Sequence, residues 1–189
     1  QKIVRGEFVI DVKVGDHAVI TQYQKVIKLA YDMADMKVEP DEKSLFRFYQ
    51  ILADHGTQEY RRTNPVLVAL DYNPPYPSEI EEQMEILTQW MQVNDFQNNP
   101  ILRAAYLHNK IVEIYPYETH SEAVARMAMY FELLRNGYPP VLLNLSESEY
   151  YAAIRSYLKK EEIQPMYDPL ERAVYNKLEI MMQLTADQV

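Results

Sequence analysis

Apolar residues recur along most of this chain at intervals of three and four, the spacing that lines one face of an α-helix. From Tyr23 onward Val26, Ile27, Ala30 and Ala34 keep that rhythm. A second helix is predicted from about Asp41 to Ala53, with Leu45, Phe48, Tyr49 and Leu52 inward and Gly56 as its stop. A third opens at Ser78, with Glu81 three residues on as a capping box, and carries Ile80, Met84, Leu87 and Met91 on one stripe. The next begins at Asn99-Pro100, runs through Ala104, Ala105, His108 and Ile111 towards Ile114, and halts before Pro116. A central helix follows, in which Ala123, Met127, Tyr130, Phe131 and Leu134 share a face and Gly137 supplies the left-handed stop before Pro139-Pro140. Two more complete the set. One is capped by Ser146 with Glu149; the other is opened by Asp168-Pro169 with Glu171 and carries Leu170, Val174, Leu178 and Met181.

Two stretches break the helical rhythm. Over residues 7–20, Phe8, Ile10, Val12 and Val14 alternate with polar positions ahead of Ala18-Val19-Ile20, and Gly15-Asp16 reads as a turn between two short strands. Over residues 57–77, Tyr60-Arg61-Arg62 leads into alternating Val66, Val68 and Leu70 and then Asn73-Pro74-Pro75-Tyr76-Pro77, an exposed hairpin followed by a stiff turn. The expectation is a mainly α fold: a small N-terminal β element at 1–20, then one helical domain at 21–189 carrying a short β-hairpin flap.

Composition narrows the function classes. At 189 residues and 22.3 kDa the chain can bury a core without disulfides or metals. Its net charge of −9 works against phosphate backbones and anionic lipid, so neither nucleic acid nor membrane is expected as a partner. The absence of cysteine removes thiol catalysis, thiolate metal sites and disulfides together. No apolar run reaches the roughly 18 residues that span a bilayer, and a soluble, cytoplasmic protein is expected, with a segment missing ahead of Gln1.

The stretch from His108 to Pro140 carries the most specific signal. It reads His108-Asn109-Lys110-Ile111-Val112-Glu113-Ile114-Tyr115-Pro116-Tyr117, a short loop, and a helix ending Arg135-Asn136-Gly137-Tyr138-Pro139-Pro140. This resembles the Fic family, in which a helix leads into a loop of pattern H-P-F-x-[D/E]-G-N-G-R-x-x-R that opens a second helix. The likeness extends over about residues 45–160, with Tyr60-Arg61 placed like the family's flap. It implies a Fic-type helical bundle and the transfer of AMP from ATP, with magnesium, onto a protein hydroxyl. That chemistry requires a base near the acceptor, amide donors at a helix N-terminus for the phosphates, and a metal and arginines against the charge.

Carried over position by position, the motif is degenerate. The catalytic histidine is Tyr115, whose phenol, with an ordinary pKa near 10, is a poor base. The metal-binding acid is Thr119, the Gly-Asn-Gly is His120-Ser121-Glu122, and the first arginine is Ala123. Of the polar groups only the second arginine persists, as Arg126, while Pro116 and Tyr117 keep the loop's frame. Arg126 and Ser121 are the candidate phosphate contacts; Tyr115 and His120 stand where catalysis would be. Each has a plainer reading as well: Tyr115 and Tyr117 as buried loop aromatics, Arg126 as an ion pair or tether, His120 as an exposed histidine, and Ser121 or Thr119 as helix caps. No copy of the family's inhibitory [S/T]-x-x-x-E-[G/N] helix is found.

Three functions remain open on these residues. The first is an inactive module that binds a protein partner or target through the flap, with Tyr60, Arg61, Val66 and Val68 as contacts and the Val66–Leu70 edge taking up a strand. The second is an atypical nucleotidyl- or phosphotransferase using ATP and magnesium with His120 or Tyr115 and Glu118 or Glu122. The third is an unrelated helical domain. A homo-oligomer is compatible with all of them.

Overall fold

The computed structural model describes residues 14–54, 58–93 and 99–186, the first five of them through their backbone. Among these residues the chain forms seven α-helices: α1 (Val14–Asp35), α2 (Glu42–Ala53), α3 (Ile80–Gln92), α4 (Pro100–Ile114), α5 (Ser121–Arg135), α6 (Glu147–Lys160) and α7 (Gln164–Ala186). The predicted stripes explain the arrangement. α4 and α5 are the central pair; α1 and α2 cover α5, while α3, α6 and α7 cover α4. Both central helices are buried on most of their circumference, α4 through Ala104, Ala105, His108 and Ile111 and α5 through Val124, Met127, Ala128 and Phe131. Fully burying one side chain of the Ile or Phe class is worth about 1.5–3 kcal/mol, so this interface dominates the fold's stability.

Local chemistry sets most boundaries. The Asp41 carboxylate accepts from the Ser44 amide at 2.8 Å, the Asn99 side chain accepts from Leu102 N at 2.9 Å, and Ser146 and Glu149 bond each other's backbone amides. Gly137, at φ +80°, ends α5: its amide donates to Leu134 O at 3.0 Å and that of Tyr138 to Leu133 O at 2.9 Å. Between α3, α4 and α5 lies a buried ion pair, Arg103 Nε to Glu132 Oε1 at 3.0 Å. Arg103 also donates to the carbonyls of Met91 and Val93 at the end of α3 and lies 4.6 Å from the Trp90 ring.

Several expectations need correction. The N-terminal β element is not present over 14–20, which is the start of α1; residues 1–13 of that expectation lie outside the described residues. Tyr23, Val26, Ala30 and Met33 form one continuous helical stripe, and the burial of the last three against α2 and α5 outweighs the roughly 1 kcal/mol that Gly15 costs inside a helix. Ile27 faces outward instead. The predicted β-hairpin flap reduces to one antiparallel bridge, Leu67 to Tyr72, closed over a 3₁₀ turn at Val68–Leu70. Val66 and Val68 are exposed but Leu70 is buried, because this side chain plugs the turn onto the body beside α6. The predicted strand edge therefore does not exist at 66–70.

Two helix starts also differ. A 3₁₀ turn at Pro77–Glu79 precedes α3, and the amide that is capped is Tyr76 N, bonded to Glu79 Oε2 at 2.7 Å, where Ser78 with Glu81 had been expected. α7 begins at Gln164, with Pro165 in its first turn and Pro169 inside it, because Met166, Leu170 and Val174 form one buried i, i+4, i+8 stripe. The Gly56 stop lies outside the described residues; α2 ends on Asp54 in the left-handed conformation.

Candidate functional site

The loop between α4 and α5 is held at both ends by residues in the left-handed region. Tyr115, at φ 48°, closes α4 with its amide on Ile111 O at 2.8 Å; His120, at φ 62°, is the N-cap of α5, its carbonyl accepting from Val124 N at 2.8 Å. Between them Tyr117 is buried, stacked on Tyr49 at 4.2 Å and edge-on to Phe46 at 5.5 Å. Ser121 fastens the loop from below: its hydroxyl accepts from Tyr117 N at 2.9 Å and donates to Tyr117 O at 3.1 Å. The side chain is fully buried, and its single hydroxyl proton is given to the Tyr117 carbonyl.

Two of the flap residues, Tyr60 and Arg61, are bonded into the body of the domain. Arg61 is buried, and its guanidinium donates to the carbonyls of Tyr115 at 2.7 Å, Thr63 at 2.8 Å, Pro75 at 2.5 Å and Ile114 at 3.4 Å. Its own amide donates to Pro116 O at 2.9 Å. A fixed cation thus sits on the carbonyl end of α4, where the helix dipole favours it. Tyr60 is half-buried against Phe46 at 5.1 Å and donates to the Glu42 carboxylate. Glu118 accepts from Thr63 Oγ1 at 2.5 Å and Arg62 N at 3.1 Å, and the Thr63 hydroxyl above all holds its carboxyl below the usual range. Both bonds tie the α4–α5 loop to the flap.

Arg126 is half-buried, donating through Nη2 to the Tyr23 hydroxyl of α1 at 3.1 Å and through Nη1 to the Tyr150 hydroxyl of α6 at 3.4 Å. The Tyr150 hydroxyl lies 2.8 Å from His108 Nε2, and His108 Nδ1 lies 3.0 Å from Asn109 Oδ1. An arginine only donates, so Tyr150 accepts from it and gives its single proton to Nε2; His108 is then neutral, with its proton on Nδ1 directed at Asn109. Burial depresses His108 to about 4, and Arg126 adds to the effect. Sequence reasoning found Arg126 but not Tyr23 and Tyr150, which lie 103 and 24 residues from it. No local pattern marks them.

Burial, and then Glu122, push the Tyr115 phenol up, so it is a proton donor and not a base. His120 is exposed, with Nδ1 2.8 Å from Thr119 Oγ1. The cavity beside it, between Val19, Gln22 and Tyr23 of α1 and Leu52 and Asp54, is about 160 Å³, below the roughly 300–1,000 Å³ of ligand pockets. Glu122 stands in the first turn of α5, where an anion would approach the free amides, and burial raises its carboxyl while Arg126 opposes that rise. No glycine lies between Tyr115 and Ala123. Among the described residues no three His, Asp or Glu side chains come together as a metal-binding cluster. No helix among them is long and apolar enough to cross a membrane.

Comparison with known proteins agrees with this frame. A protein adenylyltransferase Fic from Nematostella vectensis is 31% identical over 105 residues, 55% of this chain but 24% of its own length. The chain therefore spans only a minor part of that relative. Among solved structures, Fic-1 (aa134–508) from C. elegans superposes with a TM-score of 0.81 at 16% identity, covering all of this chain and 57% of the other. A Fic domain containing signaling protein from Bacteroides thetaiotaomicron gives 0.78 at 20%, covering 94% and 75%. The Fic/DOC family profile matches residues 39–133, which takes in α2, the Arg61 clamp, the α4–α5 loop and Arg126. With half of its length under that profile and the helical core it describes built around one loop, the chain belongs to the Fic/DOC family.

Proposed function

We propose that this chain is a Fic-fold module that does not transfer AMP and acts by binding a protein partner, in a cytoplasmic setting. The observation that carries the reading is the commitment of Arg126, whose guanidinium is divided between Tyr23 and Tyr150 while α1 narrows the space at the start of α5. A phosphate that took this arginine would have to displace two hydroxyl partners and approach Glu122, against its charge, over side chains that replace the family's glycines. Ser121, bonded to Tyr117, supports the same reading. The partner contact on this reading involves the exposed Val66 and Val68 side chains of the turn, Tyr60 and Arg61 serving to hold that turn in place.

The test is calorimetric titration of the chain with ATP and magnesium, with Arg126→Ala beside it. No heat at millimolar nucleotide is expected. Saturable binding to the parent chain that disappears in Arg126→Ala would overturn the reading and restore Arg126 as a phosphate ligand.

A further inference from the structure

A cavity of about 390 Å³ opens between α4 and the carbonyl end of α6, and none of the motif positions lines it. It falls inside the roughly 300–1,000 Å³ of ligand pockets, unlike the hollow beside His120. Tyr106 of α4 and Tyr157 of α6 are its aromatic walls, their rings edge-on with centroids 6.1 Å apart, and Leu158 and Ile163 add apolar surface. Burial, and then the Glu113 carboxylate, push the Tyr157 phenol up, so this wall stays uncharged. The charged side chains of the lining are Lys110, Glu113 and Glu161. Lys110 Nζ donates to Glu113 Oε2 at 2.9 Å, and with 23% and 31% of the two side chains exposed this half-buried pair cancels. Glu161 is left over. It follows the last turn of α6, its amide on Tyr157 O at 2.8 Å, and its exposed carboxylate makes no ion pair among the described residues. The two lysines that end α6 are matched elsewhere, Lys159 by Asp71 and Lys160 by Glu162.

Three features of different origin therefore agree in sign. The lining holds one carboxylate more than it has cations, the carbonyl end of a helix carries about half a negative charge, and tyrosine faces attract cations. An anion would meet Glu161, and the one cation that could receive it is already held by Glu113. An apolar ligand would strip water from the charged side chains without replacing its hydrogen bonds. We propose that this cavity binds a guanidinium or primary ammonium group, its stem against the tyrosine rings, Leu158 and Ile163 and its charge towards Glu161 and Glu113. The source is an arginine or lysine side chain of a protein, or a free amine of the same chemistry. The inference does not depend on whether nucleotide binds at the α4–α5 loop.

Titrations of the 189-residue chain followed by ¹⁵N–¹H NMR decide it. N-acetylarginine amide and N-acetyllysine amide present the charged side chain on a blocked backbone, butylamine presents the ammonium free, and N-acetylglutamine amide is the uncharged probe. Saturable shifts are expected at residues 106–113 and 157–163 with the cationic probes and not with the uncharged one. Tighter binding of the blocked residues than of butylamine assigns the site to a protein side chain; the reverse order assigns it to a free amine. One unit charge about 4 Å away in water is worth roughly a fivefold change in equilibrium constant. Glu161→Gln should therefore raise the dissociation constant about fivefold and Glu161→Lys more than tenfold, both with an unchanged thermal melt because the side chain is exposed. Glu179→Lys, the same reversal at an exposed position of α7, should leave it unaltered. No saturable shift at these residues with any cationic probe up to about 50 mM would overturn the proposal. So would equal binding of N-acetylglutamine amide, or a Glu161→Lys variant that binds as the parent does.

Discussion

Replacing Arg61 with alanine should destabilise the domain by about 3 kcal/mol. The guanidinium is 3% exposed and donates to four backbone carbonyls drawn from three segments, at 2.7, 2.8, 2.5 and 3.4 Å. Each hydrogen bond from a charged donor is worth about 1.5–3 kcal/mol, and a buried carbonyl left without a partner loses about 1–3 kcal/mol. The three short contacts set a gross loss of about 4.5–9 kcal/mol. Against it stands the desolvation of the guanidinium, several kcal/mol, which the alanine variant no longer bears. A net loss of about 3 kcal/mol is a large part of the 5–15 kcal/mol typical of a domain. It corresponds to a melting temperature about 6–12 °C lower for a chain of this size. The assay is thermal and urea unfolding followed by far-UV circular dichroism. Arg61→Lys should recover less than half of the loss, since an ammonium cannot present the fork that reaches Tyr115, Thr63 and Pro75 together. A loss under 1 kcal/mol in Arg61→Ala would refute the clamp. So would full recovery by lysine, since charge alone would then account for the effect.

Further outcomes follow from the buried polar groups. His108 is depressed from its ordinary value near 6.5 to about 4, so the unfolded state binds the proton more readily; its contribution is complete above about pH 6.5 and is lost as pH falls towards 4. The loss is on the order of 3 kcal/mol, and the difference in urea midpoint between pH 7 and pH 4.5 should shrink in His108→Gln. Glu132→Gln leaves Arg103 charged in the core and should destabilise by about 3–5 kcal/mol, whereas Arg103→Met with Glu132→Leu together should be much milder. A double variant as unstable as the single one in urea unfolding would contradict this.

The helices whose stripes fall within one covered face were legible from spacing alone. Ile80, Met84, Leu87 and Met91, and the Asn99 and Ser146 caps, depend on neighbours no more than a few residues away. The misreadings arose where tertiary burial overrides local pattern. Val14 to Ile20 has the alternation of a strand, but it continues into a helical stripe whose Val26, Ala30 and Met33 are buried against α2 and α5, and that burial selects the helix. Pro169 looked like a helix start because nothing local reveals that Met166 is buried. At the site, the loop frame and Arg126 were legible as positions. Their partners were not: Tyr23 and Tyr150 reach Arg126 across packed helices, and Arg61 meets Tyr115 from 54 residues away.

The backbone at His120 has a bearing on how the loop can drift. It holds φ 62°, a conformation natural to glycine, at the position where the family pattern has its first glycine. A non-glycine residue in that region is strained by about 1–2 kcal/mol. Replacement by glycine relieves this but loosens the unfolded chain by about 0.4–1 kcal/mol, so the step is close to neutral or slightly favourable. Ser121 is the opposite case: fully buried and bonded to Tyr117 at both ends, it leaves no room for the larger asparagine. For folding, then, glycine can stand at position 120 at almost no cost, while asparagine at 121 is shut out by a ratchet of packing.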